Sequence, residues 1–475
     1  MYRFMVMITC FTLSPLWAYA SMSPMPGEER FQTLLGEEKQ TLGAQIGMAG
    51  IEEDFFFQLT LRAELNLGPV GLGLQVPLNL RVYDRDPQNN NDYLGAIRRE
   101  DWKTPADYIK IIRYVRFGNK RDFIYLRAGE LAATLGHGTI LGRYLNNLDV
   151  NSFRVGSEFD VNTDYGGVET IVGDYGTLYD LKNPNSRVLG LRGYVKPVAF
   201  ADPESIFNIF SVGVSVVSDV NAPRVIATDA GTGQPLVENN QLKVDKTTAA
   251  TVFGFDLEAE VLKSALLDII PYTDLNFINQ AGWGWHAGIL LTAKMPVGFN
   301  LTIPVRFEYR RFRSDYIPTY FSTFYEIERY AMPGVAGSQP KLAMVRDLDS
   351  KKGINGYYGD LAFDFAGILQ IGAGYEDYQG QNPNLQAFVS IPALEVIQFK
   401  AYYARLGIRG KSDIFKFDDR SMAVAEVRYE IISYLYLVGR ASRRWALVTD
   451  EADKDYGQYK GTTDWKAGFE MAFSF

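Results

Sequence analysis

From Trp465 to Phe475 the chain alternates strictly. Trp465, Ala467, Phe469, Met471, Phe473 and Phe475 share one parity, and Lys466, Gly468, Glu470, Ala472 and Ser474 share the other. A period of two predicts a strand with two different faces. The same pattern runs from Phe55, where Phe57, Leu59, Leu61, Ala63, Leu65 and Leu67 alternate with Gln58, Thr60, Arg62, Glu64 and Asn66. Gly68-Pro69-Val70-Gly71 then forms a tight-turn signature. Leu72, Leu74, Val76, Leu78, Leu80 and Val82 follow, against Gly73, Gln75, Asn79 and Arg81. Pro77 falls among the polar set, removes a ladder donor and implies a local irregularity. These apolar faces exceed the roughly 5–6 residues of an ordinary strand. They suit a tilted membrane strand of ~9–11 residues or more.

The connections alternate too. Very short links are expected at 68–71, 118–120, 296–299, 366–368, 392–394 and 432–433, and long polar ones at 84–107, 218–249, 314–355, 409–419 and 449–461. Short turns on one side and long loops on the other are the asymmetry of outer-membrane barrels. The rhythm gives about 20 strands, with 16–20 compatible, since such barrels take even numbers. Residues 132–173 are rich in Gly and Asn and read equally as strands or as an inserted loop.

The N-terminus adds a compartment. Residues 1–20 hold one basic residue, Arg3, an apolar run from Phe4 to Leu16, and Ala18-Tyr19-Ala20. These are the marks of a secretory signal peptide. Cys10, the only cysteine, lies inside that segment, so no disulfide is expected after cleavage. No later apolar run could cross a bilayer as a helix, although aromatics make up 14% of the chain. A membrane protein without such runs can only be a closed barrel. The acidic balance, a formal charge of -8, lends no support to nucleic-acid binding.

Signal, strand rhythm, link asymmetry and aromatic-ended last strand together resemble a bacterial outer-membrane β-barrel protein of the porin-like superfamily. The expected fold is an all-β, transmembrane, antiparallel up-and-down barrel over 39–475, after a signal peptide (1–20) and a periplasmic lead-in (21–38). The resemblance implies that Phe469, Met471, Phe473 and Phe475 form the signal read by the barrel-assembly machinery. It also implies contact with outer-membrane lipid and lipopolysaccharide, for which Arg98, Arg99 and Lys103 and the pair Lys351 and Lys352 are rim candidates.

In such a barrel the polar parity faces the lumen. That assigns Arg62, Glu64, Arg81, Arg306, Glu308, Arg310, Glu426, Arg428, Glu430, Arg440, Lys466 and Glu470 inward as selectivity candidates, with Tyr434, Tyr436 and Ser442 on the same side. Arg or Lys on the lipid side at midplane would cost ~2–4 kcal/mol, which enforces the sorting. Opposed rows of charge can orient small polar solutes or merely pair as a lattice. Links 218–249 and 314–355 are long enough to fold inward, and the second carries Tyr316, Tyr320, Phe321, Phe324, Tyr325 and Tyr330. Girdle aromatics are expected at Tyr83, Tyr108, Trp283, Trp285, Tyr375, Tyr378, Trp445 and Trp465.

Catalytic signatures are sparse. The chain has 2 histidines, His137 and His286, neither with the neighbours of a zinc site. Asp84, Asp86 and Asp92 could offer oxygens to Ca2+ but lack the full high-affinity loop pattern. No residue is assigned as catalytic and no cofactor is expected. The reading is a channel for small polar solutes. The alternatives are a plugged barrel serving in adhesion, structure or assembly and, below it, a lipid-modifying enzyme. The sequence leaves the oligomeric state open.

Overall fold

Alternation becomes wall. In the computed structural model, strand follows strand as antiparallel neighbours, each apolar parity turned outward. The structure describes residues 41–474 apart from 52–53, 85–94, 103–107, 110, 121, 149–152, 181–182, 184, 203, 239, 297–299, 336, 349–351 and 392–395. The expected signal peptide 1–20 and lead-in 21–38 therefore lie outside the described residues, as do Asp86, Asp92, Lys103, Lys351 and Phe475.

The wall begins with β1 (Thr41–Ile51), β2 (Asp54–Leu67), β3 (Val70–Tyr83), β4 (Ile112–Phe117) and β5 (Ile124–Gly129). Next come β6 (Gly156–Thr163), β7 (Gly166–Val172), β8 (Val188–Val195), β9 (Phe210–Ile226) and β10 (Val244–Ala259). The third group is β11 (Leu267–Ile278), β12 (Trp283–Pro296), β13 (Asn300–Arg313), β14 (Gly353–Phe365) and β15 (Leu369–Tyr378). The last is β16 (Asn384–Ile391), β17 (Ile397–Arg405), β18 (Ser421–Ile432), β19 (Leu435–Leu447) and β20 (Tyr459–Ser474). β1 pairs with β2 and also with β20, from Thr41↔Ser474 to Gly50↔Trp465. That last ladder closes 20 strands into a barrel and leaves no sheet edge to be satisfied in lipid.

The two faces are inverted relative to a soluble protein. On β2, Phe55, Phe57, Leu61 and Leu67 are exposed while Gln58, Thr60, Arg62 and Glu64 are buried. On β20, Trp465, Phe469, Met471 and Phe473 point out and Glu470 points in. Exposed large apolar side chains in register around a closed wall form a lipid-facing band.

Three local features depart from simple alternation. The β3–β4 ladder covers only Val70–Leu74, so Pro77 sits where β4 has already stopped; beyond it Leu80 bridges Ile97. The long link expected at 218–249 is mostly strand: β9 and β10 have 17 and 16 residues, and their connection is 227–243. Its polar sequence follows from projection past the lipid. Residues 132–173 divide into an inward segment at 130–155 and the hairpin β6–β7.

Tyr83, Tyr108, Trp285, Tyr375 and Trp465 are exposed, as girdle residues should be, and Trp283 is half-buried. Tyr378 and Trp445 are not girdle residues. Tyr378 has the inward parity of β15, and its hydroxyl accepts from Arg310 Nη1 at 2.5 Å. Trp445 lies beyond the last β18–β19 rung, Ala423↔Arg443, although it still pairs with Gly461 on β20; it packs on Phe324 at 5.0 Å and donates its indole N–H to the Asp419 carbonyl. Tyr434 does not face the lumen. It follows a register shift at Glu430/Ile432, has φ 73 and stacks on lipid-side Phe473 at 5.1 Å.

Candidate functional site in the barrel lumen

Two links from the long-loop side fold into the barrel and meet there. Residues 130–155 and 314–352 touch through a parallel bridge, Leu141↔Phe321. Thr319 N donates to Thr139 O at 2.9 Å, Phe321 N to Ile140 O at 3.0 Å, and Gly142 N to Phe321 O at 3.1 Å. Gly142 permits this approach, since a Cβ there would lie 2.6 Å from Gly138 O and 2.9 Å from Thr319 Cγ2.

Their apolar side chains make a core inside the lumen. Leu135, Leu141, Tyr144, Tyr316, Phe321 and Tyr325 pack with wall residues Val188, Val217, Val252 and Phe312. A second cluster joins Leu148, Phe324 and Ile327 to Phe388, Tyr402, Val424 and Trp445. The aromatic run of 314–355 is thus spent inside the barrel. Neither cluster draws on β1–β6.

Buried carboxylates fasten the links. Glu326 accepts from Tyr144 at 2.5 Å and Ser186 at 2.6 Å, and pairs with Arg154 at 3.4 Å. Asp219 on β9 accepts from Tyr325 at 2.9 Å and Arg329 Nε at 3.1 Å. Lys341 reaches Glu328 at 2.5 Å. His137 sits between Asp274 at 2.8 Å and Glu258 at 2.9 Å. Burial opposes its charge, but the two carboxylates outweigh burial and raise it to about 10. Both ring nitrogens are engaged, so neither is available as a base. His286 is held between Glu308 at 3.4 Å and Tyr316 at 3.1 Å.

All twelve lumen candidates take the inward parity, and the structure joins them in groups. Lys400↔Glu426, Glu426↔Arg440 and Arg440↔Lys466 form one row of register partners across β17–β20. Below it, Arg428 Nε donates to Glu470 at 3.1 Å, and half-buried Glu430 lies opposite Tyr436. Glu64 takes Arg113 at 2.5 Å and Tyr114 at 2.9 Å. Glu308 lies between Arg306 and Arg310, the latter at 2.5 Å. Arg81 holds Asp84 at 2.8 Å, so that carboxylate is engaged by a guanidinium. Arg98 is buried against Asp101 at 2.9 Å and is not a rim residue. Arg62 Nε and Nη2 have no hydrogen-bond partner among the described residues.

A cavity of about 430 Å³ lies beside the inward links, lined by Arg143, Arg306, Arg310, Tyr358, Asp360 and Glu376 among others. Arg143, from 130–155, crosses to Asp360 on β14 at 2.7 Å. Sequence reasoning missed Arg143 and the wall groups Arg113, Arg127, Arg192, Glu158, Asp160 and Asp256. Several sit on strands of 6–8 residues, too short for a clear periodic signal. The Glu158-x-Asp160 spacing was the available hint.

No protein-family model matches the chain, and no curated protein does. Among solved structures it is similar to Pseudomonas aeruginosa OccK11 (OpdR), at 11% identity over 92% of this chain and 97% of that one, with a TM-score of 0.32. OccK5 (OpdH) of the same organism gives 11% identity, 92% and 98% coverage, and 0.32. The ferric-catecholate import receptor Fiu of E. coli K12 gives 10%, 92% and 82%, and 0.34. The assignment rests on the molecule's own closed ladder and apolar exterior: this chain is a twenty-strand antiparallel β-barrel of the bacterial outer membrane.

Proposed function

We propose that the barrel is a porin-like channel through which small polar solutes pass along a charged, constricted lumen. The observation that carries this is an inner face lined with charged side chains inside a closed wall, with a cavity beside the inward links. Residues 130–155 and 314–352 narrow the path, while among the described residues none of β1–β6 belongs to either apolar cluster. In the row Lys400, Glu426, Arg440 and Lys466 the cations outnumber the one acid, which favours anions over cations. Phe469, Met471 and Phe473 on the outer face of β20 would engage the assembly machinery before insertion.

Recording from single folded molecules in a planar bilayer tests this. Discrete conductance steps are expected, with an anion-preferring reversal potential in a KCl gradient that Lys466→Glu moves toward cations. Silence from protein with the heat-modifiable mobility of a folded barrel would sink the channel reading. It would favour the plugged structural barrel, which the dense apolar packing of the two inward links also supports.

A further inference from the structure

Where β17 ends, the chain leaves the wall and doubles back along its outside. Arg405 shares the outward parity of Tyr403 and Ala401, yet it is 0% exposed. The 406–420 link covers it: Arg405 Nη2 donates to Asp413 at 2.7 Å, and Nη1 pairs with Asp418. Tyr403 donates its hydroxyl to the Ile414 carbonyl at 2.7 Å. Arg443, outward on β19, donates to the Asp418 carbonyl at 3.3 Å. The wall beneath is trimmed to Ala387 and Ala423, the register partners of Tyr403, which leaves room for the loop.

The loop's outermost residues are two aromatics around a cation. Phe415 and Phe417 are 78% and 63% exposed, their rings 6.3 and 5.6 Å from Tyr403. Lys416 between them is exposed and keeps a 3.8 Å contact with Asp418. Arg409 and Lys411 are exposed as well. The acids of the loop are engaged by other cations, Asp413 and Asp418 by Arg405, Asp413 also by Arg420 at 3.0 Å, and Asp419 by Lys460 at 3.2 Å. The outward charge is therefore cationic. Its level is set by register: Arg443↔Thr463 lies two residues above Ala441↔Trp465, and Trp465 is an outward aromatic of the lipid-facing band. Aromatic side chains on a basic segment at that height belong in the headgroup layer.

We propose that link 406–420 docks a phosphorylated anionic lipid of the outer leaflet. Acyl chains lie beside Phe415 and Phe417, and phosphate oxygens are met by Lys411 and Lys416 with Arg409 alongside. Continuity with the lipid-facing band and the cationic outer surface select this occupant, whether or not the lumen conducts.

The test titrates the folded full-length chain in detergent with fluorescent bis-phosphorylated lipid A, its dephosphorylated form, and inorganic phosphate. Lys411→Glu with Lys416→Glu should weaken the phosphorylated lipid about thirtyfold, at roughly 1 kcal/mol per basic residue near an anionic surface. Phe415→Ser with Phe417→Ser should weaken both lipids, with heat-modifiable mobility retained. Lys411→Glu alone serves if the double variant does not fold. Equal binding of the two lipids, wild-type affinity in both variants, or phosphate binding as tight as the lipid's overturns the proposal. A change of oligomeric mass in the aromatic variant also overturns it, assigning the patch to a second copy.

Discussion

Glu326 is a carboxylate buried in the middle of a barrel, tolerable only because Tyr144, Ser186 and Arg154 converge on it. Breaking such a pair from one side leaves the other charge stranded, a cost of about 3–5 kcal/mol. Glu326→Ala should therefore release the inward links while the wall stays closed. Unitary conductance is expected to rise and a loop-melting transition to move to lower temperature, with the folded-barrel gel mobility kept; no change in either would refute the fastening role. His137 gives a pH dependence whose sign is fixed. Its pKa is raised from 6.5 to about 10 by Asp274 and Glu258 against the opposing effect of burial. The stabilisation is full below about 6.5 and is lost as pH climbs through about 10. Conductance of the wild type should therefore rise between about pH 7 and 11 relative to His137→Gln, which lacks the ion pair throughout. Parallel pH curves for the two proteins would count against it. At this scale parity was legible: Arg62, Glu64, Arg428 and Glu470 could be turned inward from alternation alone. Tyr378, Trp445 and Tyr434 could not, since an aromatic suits either side and a shifted register or a strand overrun changes its face.

The strands were legible because lipid outside and water inside imprint a period of two, and their short turns are local in sequence. The inward links were half legible. The aromatic density of 314–355 marked it as more than a solvated loop, and its residues do pack inside. The partner at 130–155 was not, because what orders it is distant in sequence: Ile140 and Thr139 bond to Phe321 and Thr319. The 218–249 segment misled in the opposite direction, its polarity being that of a hairpin standing in water. An element-scale prediction follows from register. Arg313 and Gly353 are direct partners at the end of the β13–β14 ladder, so a two-residue turn can replace residues 314–352. The shortened chain should fold with normal gel mobility and conduct several-fold more than the wild type. Equal conductance would mean that this link does not narrow the path.

At the scale of the whole barrel, closure of β1 on β20 fixes the lumen, but the mouth has a feature no local pattern predicts. The β9–β10 and β19–β20 connections spring from positions ten strands apart in a ring of 20 and touch. Val237 N donates to Tyr456 OH at 3.3 Å, and a Cβ at Gly457 would lie 2.9 Å from Pro235 Cβ. Pro235→Cys with Gly457→Cys should cross-link on mild oxidation, seen as a reducible change in gel mobility of the denatured chain. Failure to cross-link in the folded protein would show the contact does not persist. Gly457 has φ 75, so cysteine there adds about 1–2 kcal/mol of strain, which the bond must exceed. Two connections meeting from opposite sides act as a strut across a ring. Such a strut replaces one round opening by two crescents and braces the rim along one diameter. In the proposed channel, slender solutes would pass where compact ones of equal volume are turned away, and a particle pressing on the strut would load both halves of the barrel at once.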